Sequence, residues 1–148
     1  MTINVIAPNA LPTGEVTILG TPTQGQMLTA TNNLADANGM GTVSYTWYAD
    51  GAEISGATGN TFTLTQAQVD KKMTVTARYF DGQNTAESVT SSQTAKIANI
   101  NDAPTGVVTI TGTATQGQVL TASNTLADVD GLGTISYKWY ANGTEISG

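Results

Sequence analysis

The sequence predicts an all-β fold, an antiparallel β-sandwich that recurs in tandem with a period of 92 residues. Residues 12–56 return as residues 104–148, and 32 of the 45 aligned positions are identical. Short segments rich in Val, Ile, Thr and Tyr alternate apolar and polar side chains, which is typical of strands with one buried face. Turn residues separate these segments at regular intervals, and no segment has the apolar period of a long helix.

The first two predicted strands lie near the start of the repeat. Residues 15–19 alternate around Val16 and Ile18, and both apolar residues recur at the matching places of the second copy. A Gln-Gly-Gln turn at residues 24–26 leads into a second strand at residues 27–30. A period of two places the apolar side chains of each strand on one face, which we expect to be buried.

The third predicted strand, residues 43–48, carries the strongest core signal. Its alternation places Val43, Tyr45 and Trp47 on one face. Asp-Gly at residues 50–51 follows directly, and the second copy has Asn-Gly at the matching place. Both pairs predict a tight hairpin turn, because these residue types tolerate a positive φ.

The second half of the repeat supplies the remaining predicted elements. Phe62 and Leu64 point inward from one strand, and a longer strand buries alternate residues from Met73 to Tyr79. The predicted elements are a returning strand at 53–55, a strand at 61–65, one helical turn at 66–71, a strand at 73–79 and a closing stretch from 86 to 97.

Seven or so short strands in a 92-residue unit predict a sandwich of the immunoglobulin type. Trp47 supports this prediction, because that fold places a core tryptophan in its third strand. The chain contains no cysteine. We therefore expect residues such as Val75 and Ala77 to pack where the fold usually has a disulfide beneath the tryptophan.

The register of the repeat divides the chain into three parts. Residues 1–11 are expected to be the closing strand of a preceding repeat plus a linker, residues 12–103 a complete repeat, and residues 104–148 the N-terminal half of a second repeat. That half is expected to expose apolar side chains, which favours completion by another chain through swapping or strand addition. Truncation of a longer protein is the competing explanation. The side chains concerned are those of Val108, Ile110, Leu120, Ile135 and Trp139.

Composition argues against several classes of function. The chain has neither Cys nor His, which excludes thiol and imidazole catalysis and the usual ligands of catalytic zinc, so we expect no enzymatic activity. A formal net charge of −6 disfavours nucleic acid and anionic lipid surfaces as partners. No apolar run of about 18 residues and no basic leader is present, so we expect any export signal to lie outside this sequence.

Three segments of the repeat are the most distinctive: residues 39–51, residues 63–69 (Thr-Leu-Thr-Gln-Ala-Gln-Val) and residues 101–104 (Asn-Asp-Ala-Pro). Together they resemble the tandem Ig-like, cadherin-like repeats of very large secreted bacterial adhesins of the RTX type. The resemblance implies a structural extender module at the bacterial cell surface, with adjacent repeats of the same protein as its partners. It also implies a setting in cell adhesion and biofilm formation.

The linker at residues 97–104 is the first candidate for a metal site. Asn99, Asn101 and Asp102 offer hard oxygen donors that suit Ca²⁺, and the spacing is similar to the interdomain calcium linker of cadherins. The alternative is a plain extended linker that starts the next domain at Pro104. The earlier junction has Ala10 at the place of Asp102, so either that junction binds no ion or its geometry differs.

The loop that starts at Asp128 is the second candidate for a Ca²⁺ site. Asp128 and Asp130 precede a glycine, as in the beginning of a calcium loop, but the distal ligands of an EF-hand are missing. The alternative is a tight glycine turn in which an Asp side chain caps the backbone. Both interpretations hold if this loop and a neighbouring linker meet in space.

Two further interpretations involve aromatic and acidic side chains. Tyr48 and Tyr140 could contribute to a sugar-binding surface, which makes a carbohydrate-binding module an alternative function; the tryptophans beside them are predicted to be core residues. Asp50 and Glu53 are paired carboxylates, but they flank a predicted hairpin turn, where charge keeps a sheet edge soluble. We therefore do not expect them to be catalytic.

Overall fold

The structure is a computed structural model, and it describes residues 8–146. The chain divides into two compact units, residues 1–100 and residues 101–148. Antiparallel strands dominate both units, and the described part contains no α-helix, so the predicted all-β class is confirmed. Within residues 8–146, no helix is long and apolar enough to cross a membrane. The closing strand expected within residues 1–11 corresponds to residues 2–6 by the repeat register, and these lie outside the described residues.

The first unit has two antiparallel sheets that enclose one core. Its strands are β1 (Val16–Leu19), β2 (Met27–Asn32), β3 (Ser44–Ala49), β4 (Ala52–Glu53), β5 (Thr61–Thr63), β6 (Met73–Phe80) and β7 (Ala86–Thr90), with a single 3₁₀ turn at Gln66–Gln68. One sheet has the order β1-β2-β5 and the other the order β4-β3-β6-β7. The predicted sandwich therefore forms in this unit, with three strands facing four.

The predicted hairpin turn between β3 and β4 is confirmed. Asp50 and Gly51 both have a positive φ, 47° and 82°, and Ala49 pairs with Ala52 across the turn. The second copy repeats this conformation, with φ values of 49° at Asn142 and 83° at Gly143. Two successive residues in this region match the right-handed twist of the flanking strands, which explains the Asp-Gly and Asn-Gly pairs.

Trp47 lies at the centre of the core and is 0 % exposed. Its indole Nε1 donates a hydrogen bond of 2.9 Å to the carbonyl of Gly59, and its ring lies 5.8 Å from the ring of Phe62. Val75 is its partner across the β3–β6 ladder. Aliphatic packing thus takes the place of the missing disulfide, as predicted.

The closing stretch departs from the prediction of one long return. β7 ends at Thr90, and the chain makes only isolated bridges farther on, around the fully buried Ile97. The side-chain hydroxyls of Ser91 and Thr94 accept hydrogen bonds from the amides of Val75 and Met73. Because these hydroxyls replace backbone carbonyls, the regular ladder is interrupted there.

The second unit repeats the pairing of the first. Its strands are β8 (Val108–Thr111), β9 (Thr121–Asn124), β10 (Tyr140–Ala141) and β11 (Thr144–Glu145). Val108 pairs with Asn124 as Val16 pairs with Asn32, which is the same register after a shift of 92 residues. Among the apolar residues named above, Val108, Ile110, Leu120 and Ile135 are exposed, whereas Trp139 is half-buried.

Candidate metal centre

Three carboxylates meet at one end of the four-stranded sheet of the first unit. Asp36 lies in the loop before β3, Asp81 follows the last residue of β6, and Glu87 lies in β7. One carboxylate oxygen from each residue lies within 4.8 Å of the other two. The sheet order places these elements together, because β3 and β7 are both neighbours of β6.

Asp81 is fixed by the tight turn that joins β6 to β7. Its Oδ1 accepts hydrogen bonds from the amides of Gln83 at 2.9 Å and Thr85 at 2.6 Å. Asn84 completes the turn with a positive φ of 64°. The residue is only 6 % exposed, and its Oδ2 is buried with no hydrogen-bond partner in the described part of the chain. A buried carboxylate oxygen without a partner costs free energy unless a ligand supplies one.

Asp36 is held by its own loop and by a buried tyrosine. Its Oδ1 accepts from the amide of Asn38 at 2.8 Å, an Asx turn like the one predicted as the alternative for the matching loop at Asp128. Its Oδ2 accepts from the hydroxyl of Tyr79 at 2.8 Å. Burial, this hydrogen bond and the negative charges of Asp36, Glu87 and Asp81 raise the pKa of Tyr79 to about 12.

The segment that enters the first unit contacts the same place. The Asn9 side-chain amide donates to Oε1 of Glu87 at 2.8 Å, and the Ala10 amide donates to Oδ1 of Asn38 at 2.6 Å. The Asn38 carbonyl in turn accepts from the amide of Gly82 at 3.0 Å. Asn38 therefore ties the entering segment to the β6–β7 turn.

In the second unit, backbone hydrogen bonds link three of the residues predicted as metal ligands. The Asp102 amide donates to Oδ2 of Asp130 at 2.6 Å, and the Asp130 amide donates to Oδ1 of Asp128 at 2.9 Å. These are the bonds of Ala10, Asn38 and Asp36 shifted by 92 residues. The linker and the glycine loop thus meet in space, which is the condition under which the calcium and turn interpretations are compatible.

The two predicted asparagines are placed differently. Asn101 is exposed, and its side-chain amide donates to the carbonyl of Asp102 at 2.9 Å. Asn99 is also exposed and belongs to the first unit, where it follows the bridge between Thr23 and Ala98. Neither side chain is among the three carboxylates that converge in the first unit.

No sequence pattern singles out Asp81 or Glu87 as a candidate ligand. The sequence places Glu87 only in the predicted closing stretch at residues 86–97, and Asp81 between that stretch and the preceding predicted strand. A carboxylate directly after a core strand was the available signal, since a turn at that end of β6 lies beside the loop before β3.

The other residues singled out in the sequence lie elsewhere. Tyr48 is half-buried, and its hydroxyl accepts from Nη2 of Arg78 at 3.2 Å, whereas Tyr140 is exposed. Asp50 accepts through Oδ1 from the amide of Lys72 at 2.9 Å, which fixes the hairpin turn. Glu53 is exposed in β4. Asp50 thus has a structural contact in the described part of the chain.

A comparison with protein-family models, curated proteins and solved structures finds no match. Carboxylates held within 4.8 Å of one another repel when they are ionised. Within residues 8–146, none of the three carboxylates forms an ion pair with Lys or Arg. A cation would offset this repulsion, and the all-oxygen donor set suits a hard cation.

Proposed function

We propose that this chain is a non-enzymatic extender repeat of a secreted bacterial cell-surface adhesin, which holds a binding region away from the cell. The proposal rests on the resemblance of its repeat to such modules and on the absence of Cys and His from the sequence. On this view the module works mechanically. Short linkers, stiffened by Ca²⁺, limit bending between successive sandwiches.

One observation carries this proposal: the segment that enters each copy is bonded to a loop of that copy in the same way. The Ala10 amide donates to the Asn38 side chain, and the Asp102 amide donates to the Asp130 side chain. A chain of freely jointed domains has no need for this bond. A rigid spacer does need such a bond, because the bond restricts the orientations that the entering segment can adopt.

A distance measurement between the two units tests the extender role. The chain has no cysteine, so Ala52→Cys and Gln116→Cys provide two exposed labelling positions. Pulsed electron spin resonance on the labelled full chain, in saturating Ca²⁺, should give one narrow distance distribution. Asp130→Ala removes the acceptor of the Asp102 amide and should broaden the distribution.

The repeat supplies a matched control for this experiment. Asn38→Ala removes the corresponding acceptor in the first copy and should leave the distribution between the two units unchanged. A broad distribution in the unsubstituted chain would contradict the extender role. So would a distribution that Asp130→Ala does not alter.

Self-assembly is a second candidate function, favoured by the exposed apolar side chains of the second unit. Val108 is 56 % exposed and Ile110 is 62 % exposed, and both lie on one strand of a two-stranded sheet. Their counterparts Val16 and Ile18 are packed in the core of the first unit. A second copy that covers these residues would form a dimer or fibre. Light scattering at several concentrations tests this, since a mass that stays monomeric would rule it out.

A further inference from the structure

We propose that Asp36, Asp81 and Glu87 form a Ca²⁺ site within the first unit. None of these residues was a predicted ligand, and all three lie in one compact unit. The site therefore does not depend on the extender role, because it is defined by a single unit alone. Three elements of the fold contribute one carboxylate each, and their oxygens already lie within 4.8 Å of one another.

The buried, unpartnered oxygen of Asp81 is the observation that separates this cluster from an ordinary acidic surface. Two turn amides occupy Oδ1, so Oδ2 is the oxygen left to serve a ligand. The oxygens of exposed carboxylates accept hydrogen bonds from water, whereas Asp81 is only 6 % exposed. A cation bound beside Oδ2 supplies the missing partner and neutralises two of the three negative charges.

The donor set selects the class of cation. Every candidate ligand is an oxygen, and the chain has no Cys or His to favour zinc or copper. Ca²⁺ accepts six to eight oxygens in flexible geometry, which suits ligands from separate loops. Mg²⁺ demands a near-ideal octahedron and keeps most of its water.

The entering segment offers a further oxygen. The Asn9 side chain contacts Glu87 through its amide nitrogen. Rotation of that amide by 180° would present its oxygen to a cation in the same place. Ca²⁺ binding would then connect the entering segment, the loop before β3 and the β6–β7 turn.

Calorimetric titration of the chelator-treated full chain with Ca²⁺ tests the site. Asp81→Asn keeps an oxygen for the turn amides but removes the charge, and it should weaken binding by about tenfold or more. Asp70→Asn is the matched control. Asp70 is exposed, has a positive φ that Asn tolerates, and precedes the opposite end of β6. This control should bind as the unsubstituted chain does.

A gain-of-function variant guards against a misfolded Asp81→Asn protein. Asn38→Asp copies the residue found at position 130, where a carboxylate oxygen accepts the same backbone bond. It adds a charge beside Asp36 and should tighten Ca²⁺ binding several-fold. The extender role is tested by the distance between two labels and the Ca²⁺ site by calorimetric binding, so the failure of one proposal leaves the other intact.

Three results would overturn the site. The first is no Ca²⁺ binding at millimolar concentration. The second is Ca²⁺ binding that Asp81→Asn leaves unchanged, which would assign the ion to the loop around Asp128 and Asp130. The third is tighter binding of Mg²⁺ than of Ca²⁺, which would refute the assignment to calcium.

Discussion

Replacing Trp47 by Phe tests whether this tryptophan organises the core of the first unit. The substitution removes Nε1 and its 2.9 Å hydrogen bond to the carbonyl of Gly59, at a cost of about 0.5–1.5 kcal/mol because Gly59 is exposed and water can replace the donor. The smaller ring also loses buried area and contact with Phe62, which adds about 1–2 kcal/mol. We therefore expect the free energy of unfolding of this unit to fall by about 2 kcal/mol.

Hydrogen exchange at the buried amides of β6 measures this loss for the first unit alone. A loss of about 2 kcal/mol speeds their exchange by about 30-fold when opening is fast and reversible. Trp139→Phe is the matched control, because Trp139 occupies the equivalent position but is only half-buried. It should leave β6 exchange unchanged. The reasoning is refuted if Trp47→Phe costs less than about 1 kcal/mol.

Two further predictions concern the surroundings of Asp36, Asp81 and Glu87. Tyr79 has a pKa of about 12, above its usual value near 10, so the folded state favours the protonated phenol. The contribution of this phenol to the free energy of unfolding is complete below about pH 10 and disappears as the pH rises towards 12. The difference in urea midpoint between the unsubstituted chain and Tyr79→Phe should therefore shrink over that window, and a constant difference would contradict it. Gly82→Ala places a methyl group against the carbonyl of Asn38 and should lower the melting temperature of the first unit. Gly133→Ala is the control: an added methyl group there meets nothing within 4 Å, and the melting temperature should stay unchanged.

The strands were predictable because their signal is local. Alternation around Val16, Trp47 and Val75 reports a buried face whatever the partner strand is, and the Asp-Gly pair at residues 50–51 specifies its own turn. The interruption after Thr90 was not predictable in the same way. It depends on side-chain hydroxyls that accept bonds from a different strand.

The cluster of Asp36, Asp81 and Glu87 was not predictable, because it depends on sheet order. Asp36 and Asp81 are 45 positions apart in the sequence, and neither has a spacing that indicates a metal site. They meet only because β6 lies between β3 and β7. By contrast, the contact between Asp102 and Asp130 joins two segments that the sequence predicts as candidate metal sites, although the sequence does not predict that they meet.

A comparison of the two copies shows that the hydrogen bond to the entering segment does not require a charged acceptor. Asn38 accepts from the Ala10 amide just as Asp130 accepts from the Asp102 amide, so a neutral side chain is sufficient for that bond. The carboxylate at position 130 adds a negative charge near Asp128, and the neighbouring residue at position 102 is also acidic. Like charges placed together raise the free energy of the fold unless a cation or solvent offsets them. Asn38→Asp therefore adds charge to the first copy while keeping an oxygen acceptor for the Ala10 amide, so its effect on Ca²⁺ binding reports the added charge.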